Sequence, residues 1–142
     1  MKVESETFEK HVRRLAAESP DYVYRTTQGC TYVRYGRDGE WCGDCLIGGA
    51  LIACGVPANE LHAIDAAEYT TDDEWELAPS ARIVLRHYGI SPEMADWGDI
   101  VQQHQDHRHS WGDSVRAADR LMLIPKPGRA IEVRRSVHLD SA

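Results

Sequence analysis

Apolar and polar positions follow two rhythms along this chain. Phe8, Val12, Leu15 and Ala16 recur at helical spacing and predict a helix over 5–18, which Ser19-Pro20 stops. Tyr22 and Tyr24, then Tyr32, Val33 and Tyr35, have strand propensity; they predict a hairpin over 21–35 with its turn near Gln28-Gly29. Gly36-Arg37-Asp38-Gly39 predicts a loop. A helix over 45–54 follows, with Asp44 as its N-cap. Leu46, Ile47, Ala50, Leu51 and Ile52 make that helix apolar nearly all round, which places it in the middle of the domain. Gly55 is set to end it and Val56 to supply the hydrophobic contact that follows such an ending. Pro57 then opens a helix over 57–66 that turns Leu61 and Ile64 inward.

Thr70 to Glu76 predicts an acidic loop or helix start, with Thr71 and Glu74 at capping-box spacing. A helix over 80–88 carries Ile83, Val84 and Tyr88, and Gly89-Ile90-Ser91-Pro92 then repeats the punctuation of Gly55-Val56-Pro57. The two glycines stand 34 residues apart, which predicts two similar helix-turn-helix corners, fewer than the three or more copies of a solenoid. From Ser91 a helix places Met94, Trp97 and Val101 on one face, continued by His104. Another starts at Ser110, boxed with Asp113, and turns Trp111, Val115, Ala118 and Met122 inward until Pro125 and Pro127 end it. Ile131, Val133, Val137 and Leu139 alternate, predicting a last strand beside the Tyr-rich hairpin or a loose tail over 125–142. The expected fold is an α-rich α+β domain, residues 1–142, with five or six short helices packed with a small antiparallel sheet.

Composition sharpens this picture. Leu, Ile, Val and Phe make up about a fifth of the chain, near the boundary below which chains tend to be disordered. Four Trp and six Tyr compensate with large buried areas, so a small, thin core is expected. No apolar run is long enough for a membrane span, and MKVESETFEK has no secretory signal, so a cytoplasmic protein is expected. Net charge is -7, which makes nucleic acid an unfavourable partner. No Lys or Arg lies between Arg37 and Arg82, while that stretch carries ten carboxylates. From Arg116 to Arg135 six basic residues face Asp119 and Glu132. Asp72, Asp73, Glu74 and Glu76 are therefore candidate partner-binding residues, the alternative being a solvated acidic face.

Two clusters invite a chemical reading. Trp41-Cys42-Gly43-Asp44-Cys45 resembles the Trp-Cys-Gly-Pro-Cys site of thioredoxins, where two residues between thiols permit a reversible disulfide at a helix N-terminus. Asp44 stands where thioredoxins carry Pro, a polar loop precedes the motif, and a carboxylate beside the thiols opposes their activation. Cys-x2-Cys is also half a zinc site, for which Cys30, Cys42 and Cys45 with one histidine are the candidate ligands. Cys45 and Cys54 fall about half a turn out of phase on one helix, and free cysteine often packs as a small hydrophobe. The second cluster runs from Gln102 to His109. His104 and His107 share a helix face with Asp106 close by, which suits a metal or general-base site; a polar helix end is the other reading.

Cys45-Leu46-Ile47-Gly48, Leu51, Gly55-Val56-Pro57 and Leu61, followed by Gln102, Gln105-Asp106, Trp111-Gly112, Val115 and Ala118, resemble a group of small proteins encoded by actinobacteriophages and related prophages. Members carry a Cys-[Leu/Ile]-[Ile/Val]-Gly helix closed by Gly-Val, and later a Gln-Asp-x-Gly-x-x-Trp element. The resemblance spans roughly 40–122; this chain departs from it with Arg108 where Gly is usual and Gly43-Asp44 where Pro-Ser is common. It implies a helical phage accessory protein and supplies no mechanism. It also implies structural roles for Cys45 in helix packing and for Asp106 and Trp111 as a latch, Asp106 capping the helix at Ser110 and Trp111 filling the core. Gly55 and Pro57 are structural on their own spacing. The expected function is binding of a host or phage macromolecule without catalysis, as monomer or homodimer, and without cofactor. A thiol-redox or metal-dependent enzyme and a zinc-stabilised binding module are the alternatives.

Overall fold

A computed structural model describes residues 1–24, 31–68 and 80–122. Among them stand six helices and two short strands: α1 (Ser5–Glu18), β1 (Val33–Tyr35), β2 (Trp41–Gly43), α2 (Leu46–Ala53), α3 (Ala58–Glu68), α4 (Ala81–His87), α5 (Pro92–Asp106) and α6 (Trp111–Met122). The fold is helix-rich α+β. The expected elements at 70–76 and 130–139, the Gln28-Gly29 turn and the tail over 125–142 lie outside the described residues.

Helix α5 is the hub and packs against α4, α6 and α2, while α1 packs against α2 and α6. Its buried face carries Met94, Ala95, Trp97 and Val101, and Trp97 is fully enclosed. Phe8, Val12 and Ala16 of α1 supply the opposing face at the expected helical spacing. Leu46, Ile47, Ala50 and Leu51 are fully buried, so α2 lies inside the bundle as its all-round apolar sequence requires. Each such large side chain contributes roughly 1.5–3 kcal/mol through removal from water. The start of α1 is tied to the α4–α5 corner: the Val3 amide donates to the Tyr88 carbonyl at 2.7 Å, and Ser5 Oγ accepts the Ser91 amide at 2.9 Å. Of the apolar residues of α4 and its C-cap, Val84, Leu85 and Tyr88 are buried and Ile83 is exposed.

The helix corners follow one pattern of hydrogen bonds. After α2 the Gly55 amide donates to Ile52 and the Val56 amide to Leu51, with Gly55 at φ +95. After α4 the Gly89 amide donates to Arg86 and the Ile90 amide to Leu85, with Gly89 at φ +87. These are Schellman endings, in which a left-handed residue lets its own amide and the next one satisfy the last free carbonyls. A third closes α5, where the Arg108 amide donates to Gln105 and the His109 amide to His104. Its left-handed position is held by Arg108 at φ 71, so no glycine announces it in the sequence.

The sheet differs from the expected one. Val33, Arg34 and Tyr35 pair antiparallel with Gly43, Cys42 and Trp41, so the turn of this hairpin is the Gly36–Glu40 loop. The segment at Tyr22–Tyr24 makes only an isolated bridge, Val23 to Ser110. Its two tyrosines are used separately: Tyr22 packs edge-on against Trp111, and Tyr24 is buried. Strand propensity alone could not distinguish the two pairings, because Tyr32–Tyr35 belongs to both. In the observed turn Gly39 supplies the positive φ of +84 that a tight reversal needs, and the Asp38 carboxylate accepts the Glu40 amide across it.

Candidate functional site

The Trp41–Cys45 motif forms a joint between hairpin and helix. Its middle residue must pass close to α2: a methyl group on Gly43 would lie 2.7 Å from the Gly49 nitrogen, and one on Gly48 would lie 2.6 Å from the Tyr32 carbonyl carbon. The backbones of β2, α2 and the strand entry are therefore in direct contact. Cys45, not Asp44, is the N-cap of α2, its Sγ accepting the Gly48 amide at 3.3 Å. Cys45 is buried, and Gln102 Nε2 lies 3.7 Å from the same sulfur. The neighbouring Gln105 accepts the Leu46 amide at 2.8 Å and donates to Asp106 Oδ1 at 2.9 Å. The Gln-x-x-Gln-Asp run of α5 thus supports the start of α2.

Asp44, displaced from the cap, organises the opposite side. Tyr24 donates to its Oδ2 at 2.7 Å and Thr31 at 2.5 Å, while Arg34 Nε lies 3.5 Å from Oδ1. Asp65, from α3, is buried and accepts the Tyr32 amide at 3.0 Å and the Val33 amide at 3.3 Å. Burial pushes its carboxyl above the usual carboxylate range, and the two backbone amides work against that shift. Asp44 and Asp65 together fix the hairpin from below, leaving its outer end facing solvent.

That outer end is aromatic. Tyr35 and Trp41 are cross-strand partners with ring centroids 5.2 Å apart and planes at 68°. The Trp41 ring in turn packs 4.5 Å from His62 of α3, tilted by 39°. Tyr35 is 62% exposed and Trp41 39%, and His62 is exposed as well. The three rings form a contiguous step on the surface, on the side of the sheet away from Arg34 and Cys42. None of the three was expected to bear function. The alternation of Tyr35 and Trp41 about a Gly-rich loop was the available signal, obscured by assigning the strand to the preceding tyrosines.

The other candidate residues are placed as follows. Cys42 lies on β2, half-buried, with its Sγ 3.7 Å from the Arg34 carbonyl; Cys42, Cys45 and Cys54 are free thiols. Burial pushes the Cys54 thiol up. Cys30 lies outside the described residues, as do Asp72, Asp73, Glu74 and Glu76. His107 is the C-cap of α5, its Nδ1 2.7 Å from the Gln103 carbonyl, while His104 Nδ1 is 3.0 Å from the Ile100 carbonyl. His104 packs its ring 5.2 Å from that of His109. Among the described residues no three His, Cys, Asp or Glu side chains are gathered as a metal ion would require. The cap of α6 is the Ser110 hydroxyl, which accepts the Asp113 amide at 3.1 Å; the Asp113 carboxylate goes to Arg116 rather than completing the box, and that pairing holds it below the usual range. Trp111 is half-buried against Tyr22.

A second polar hub joins α1, α5 and α6. Arg13 donates twice to Asp119, at 2.9 and 2.7 Å, and once to Glu9 at 2.8 Å. Trp97 Nε1 donates to the same Asp119 at 2.9 Å, and the Arg13 guanidinium sits 5.0 Å from the Trp97 ring centroid. The Asp119 bond holds Arg13 firmly protonated. Two surface grooves flank α1: one of about 240 Å³ bounded by Arg13, Pro20, Gly112 and Asp119, and one of about 520 Å³ bounded by Lys2, Glu4, Ser5 and Ser91. Neither is lined by the cysteines or the histidines. No helix of the described residues is long and apolar enough to cross a membrane. Compared with models of known protein families, with curated proteins and with solved structures, the chain shows no significant match to any of them.

Proposed function

We propose that this chain is a phage-encoded accessory protein of the host cytoplasm that acts by binding a host or phage protein, without chemistry of its own. The observation that carries this reading is the exposed aromatic step of Tyr35, Trp41 and His62. Large rings held rigid and left in solvent are the side chains that dominate protein interfaces, because they bury much area at little cost in side-chain freedom. Here the rigidity is visible: Asp44 and Asp65 fix the hairpin to the bundle, and α2 meets it backbone to backbone. The WCGDC motif is used to build that support. Cys45 serves as a helix cap and Gly43 as a point of close approach.

The test compares wild type with Tyr35→Ala and Trp41→Ala in capture from host or phage-infected lysate, with quantitative identification of the bound proteins. A protein retained by wild type and lost from both variants, at unchanged thermal stability, is the expected result. Capture that is indifferent to both substitutions overturns the reading.

A further inference from the structure

Resting on that reading, we infer that the Asp38–Gly39 peptide is a site of spontaneous isoaspartate formation, and that this change in the main chain dismantles the aromatic step. The chemistry is a ring closure. The Gly39 nitrogen attacks Asp38 Cγ, a C–N bond forms, and the carboxyl hydroxyl leaves as water with the amide proton. Water then opens the resulting cyclic imide at one of its two carbonyls. Breaking the bond from nitrogen to Cγ restores aspartate. Breaking the bond from nitrogen to the main-chain carbonyl carbon sends the chain through Cβ and Cγ instead, and leaves the old carbonyl as a free carboxylate. No mass is gained or lost over the two steps, and solvent water is the only co-reactant.

Three observations select this peptide. A side chain on the attacking residue impedes ring closure, and of the eleven glycines only Gly39 follows an aspartate. The single asparagine, Asn59, precedes Glu60 inside α3. Exposure is the second: Arg37, Asp38, Gly39 and Glu40 all face solvent. Where a Cβ on Gly39 would stand, the nearest atom beyond its chain neighbours is Tyr35 Oη, at 3.6 Å. The third is how lightly the reacting groups are held. The Gly39 amide donates to the Gly36 carbonyl at 3.1 Å, and Asp38 Oδ1 accepts the Glu40 amide at 3.0 Å. Both bonds must open for closure. They sit at the exposed tip of a hairpin whose strands are three residues long, where local opening costs least. Asp44 and Asp65 clamp only its far end. The same turn sets Tyr35 opposite Trp41, closed by the Gly36 amide on the Glu40 carbonyl at 2.7 Å. One extra main-chain carbon at position 38 lengthens that turn and removes the side chain that holds the Glu40 amide. The two rings then lose their contact.

The experiment ages the full chain for several weeks at neutral pH and physiological temperature. The folded protein is then probed with a protein-isoaspartate methyltransferase and labelled S-adenosylmethionine, and the labelled position is mapped by proteolysis and electron-transfer fragmentation. Asp38→Glu is the control, since it keeps a carboxylate but must close a larger ring, which is far slower. Wild type should accumulate label at residue 38 with time, and Asp38→Glu should stay at background. The isoaspartyl form, separated by ion exchange, should show the loss of near-ultraviolet circular dichroism that fresh Trp41→Ala shows. No label in aged wild type, or equal label in Asp38→Glu, overturns the inference. Label at residue 38 in a form that keeps the wild-type dichroism overturns its structural half. Lysate capture by fresh protein that ignores Tyr35→Ala and Trp41→Ala removes the broader reading and leaves the isomerisation standing, so the two failures are distinguishable.

Discussion

Gly48 and Gly49 are adjacent in α2, and the structure predicts opposite outcomes for alanine at the two sites. At Gly48 the added methyl would overlap the Tyr32 carbonyl, 2.6 Å from its carbon and 2.7 Å from Cα. Ordinary carbon contacts are about 3.5–4.0 Å, so one partner must retreat by roughly 1 Å. Tyr32 is not free to do so. Its amide is held by Asp65 at 3.0 Å and its carbonyl accepts the Asp44 amide at 2.9 Å. Stranding one of these buried groups costs about 1–3 kcal/mol, and forced overpacking adds roughly 1–3 kcal/mol. Gly48→Ala should therefore lose about 2–6 kcal/mol, a large part of the roughly 5–15 kcal/mol that holds such a domain together. At Gly49 the methyl would meet only the flexible tip of Leu15, at 3.2 Å. The gain in helix propensity, about 1 kcal/mol, offsets that adjustment and leaves Gly49→Ala close to wild type or above it. Urea denaturation followed by far-UV circular dichroism measures both. Unfolding free energies for the two variants within about 1 kcal/mol of each other would refute the backbone-contact account of the joint.

Three further outcomes follow from particular residues. Arg108→Gly should raise stability by about 0.5–1 kcal/mol: the left-handed position costs an L-residue roughly 1–2 kcal/mol, and glycine's freer unfolded chain returns about half of that. A melting temperature below wild type would contradict it. Asp65→Ala should cost about 2 kcal/mol or more, since it leaves the Tyr32 and Val33 amides without an acceptor. Because burial raises the Asp65 pKa, the native state binds its proton more tightly than the unfolded chain. Wild type should therefore lose stability relative to Asp65→Asn as pH rises from 3.8, the ordinary value, through the raised one. A gap that stays constant with pH, in chemical denaturation across that range, would contradict the burial argument. Cys42→Ser and Cys45→Ser should both fold, with Cys45→Ala about 1 kcal/mol less stable than Cys45→Ser because only the serine keeps a capping atom for the Gly48 amide. Equal melting curves for the two Cys45 variants would remove the cap from the account.

The helices were legible because their signals are local. Phe8, Val12 and Ala16 mark one face of α1, and Gly55-Val56-Pro57 and Gly89-Ile90 mark two corners with the hydrogen bonds the spacing implies. The third corner was not legible, since Arg108 gives no sign of positive φ, although glycine is the residue that geometry favours. Strand pairing is non-local, and Tyr32–Tyr35 could serve a turn on either side, so propensity chose the wrong partner. Cys45 took the cap expected of Asp44 for a similar reason. Either can cap a helix, and the choice fell to Tyr24 and Thr31, which claim the carboxylate from outside the motif. The aromatic step depended on the same pairing, because only the Gly36–Glu40 turn brings Tyr35 beside Trp41.

The clamp between α1 and α6 has a consequence for synthesis on the ribosome. Arg13 and Asp119 are separated by 106 residues, and Ser5 and Ser91 by 86. At about 5–20 residues per second, Arg13 leaves the peptidyl-transferase centre roughly 5–20 s before its carboxylate partner exists. Helix α2 arrives sooner and covers one side of α1, but the flank bearing Arg13 and Ala16 stays open until α6 is made. Helix α1 is thus fully enclosed only after a further hundred or so residues have been added, and until then the nascent chain carries an unfinished surface.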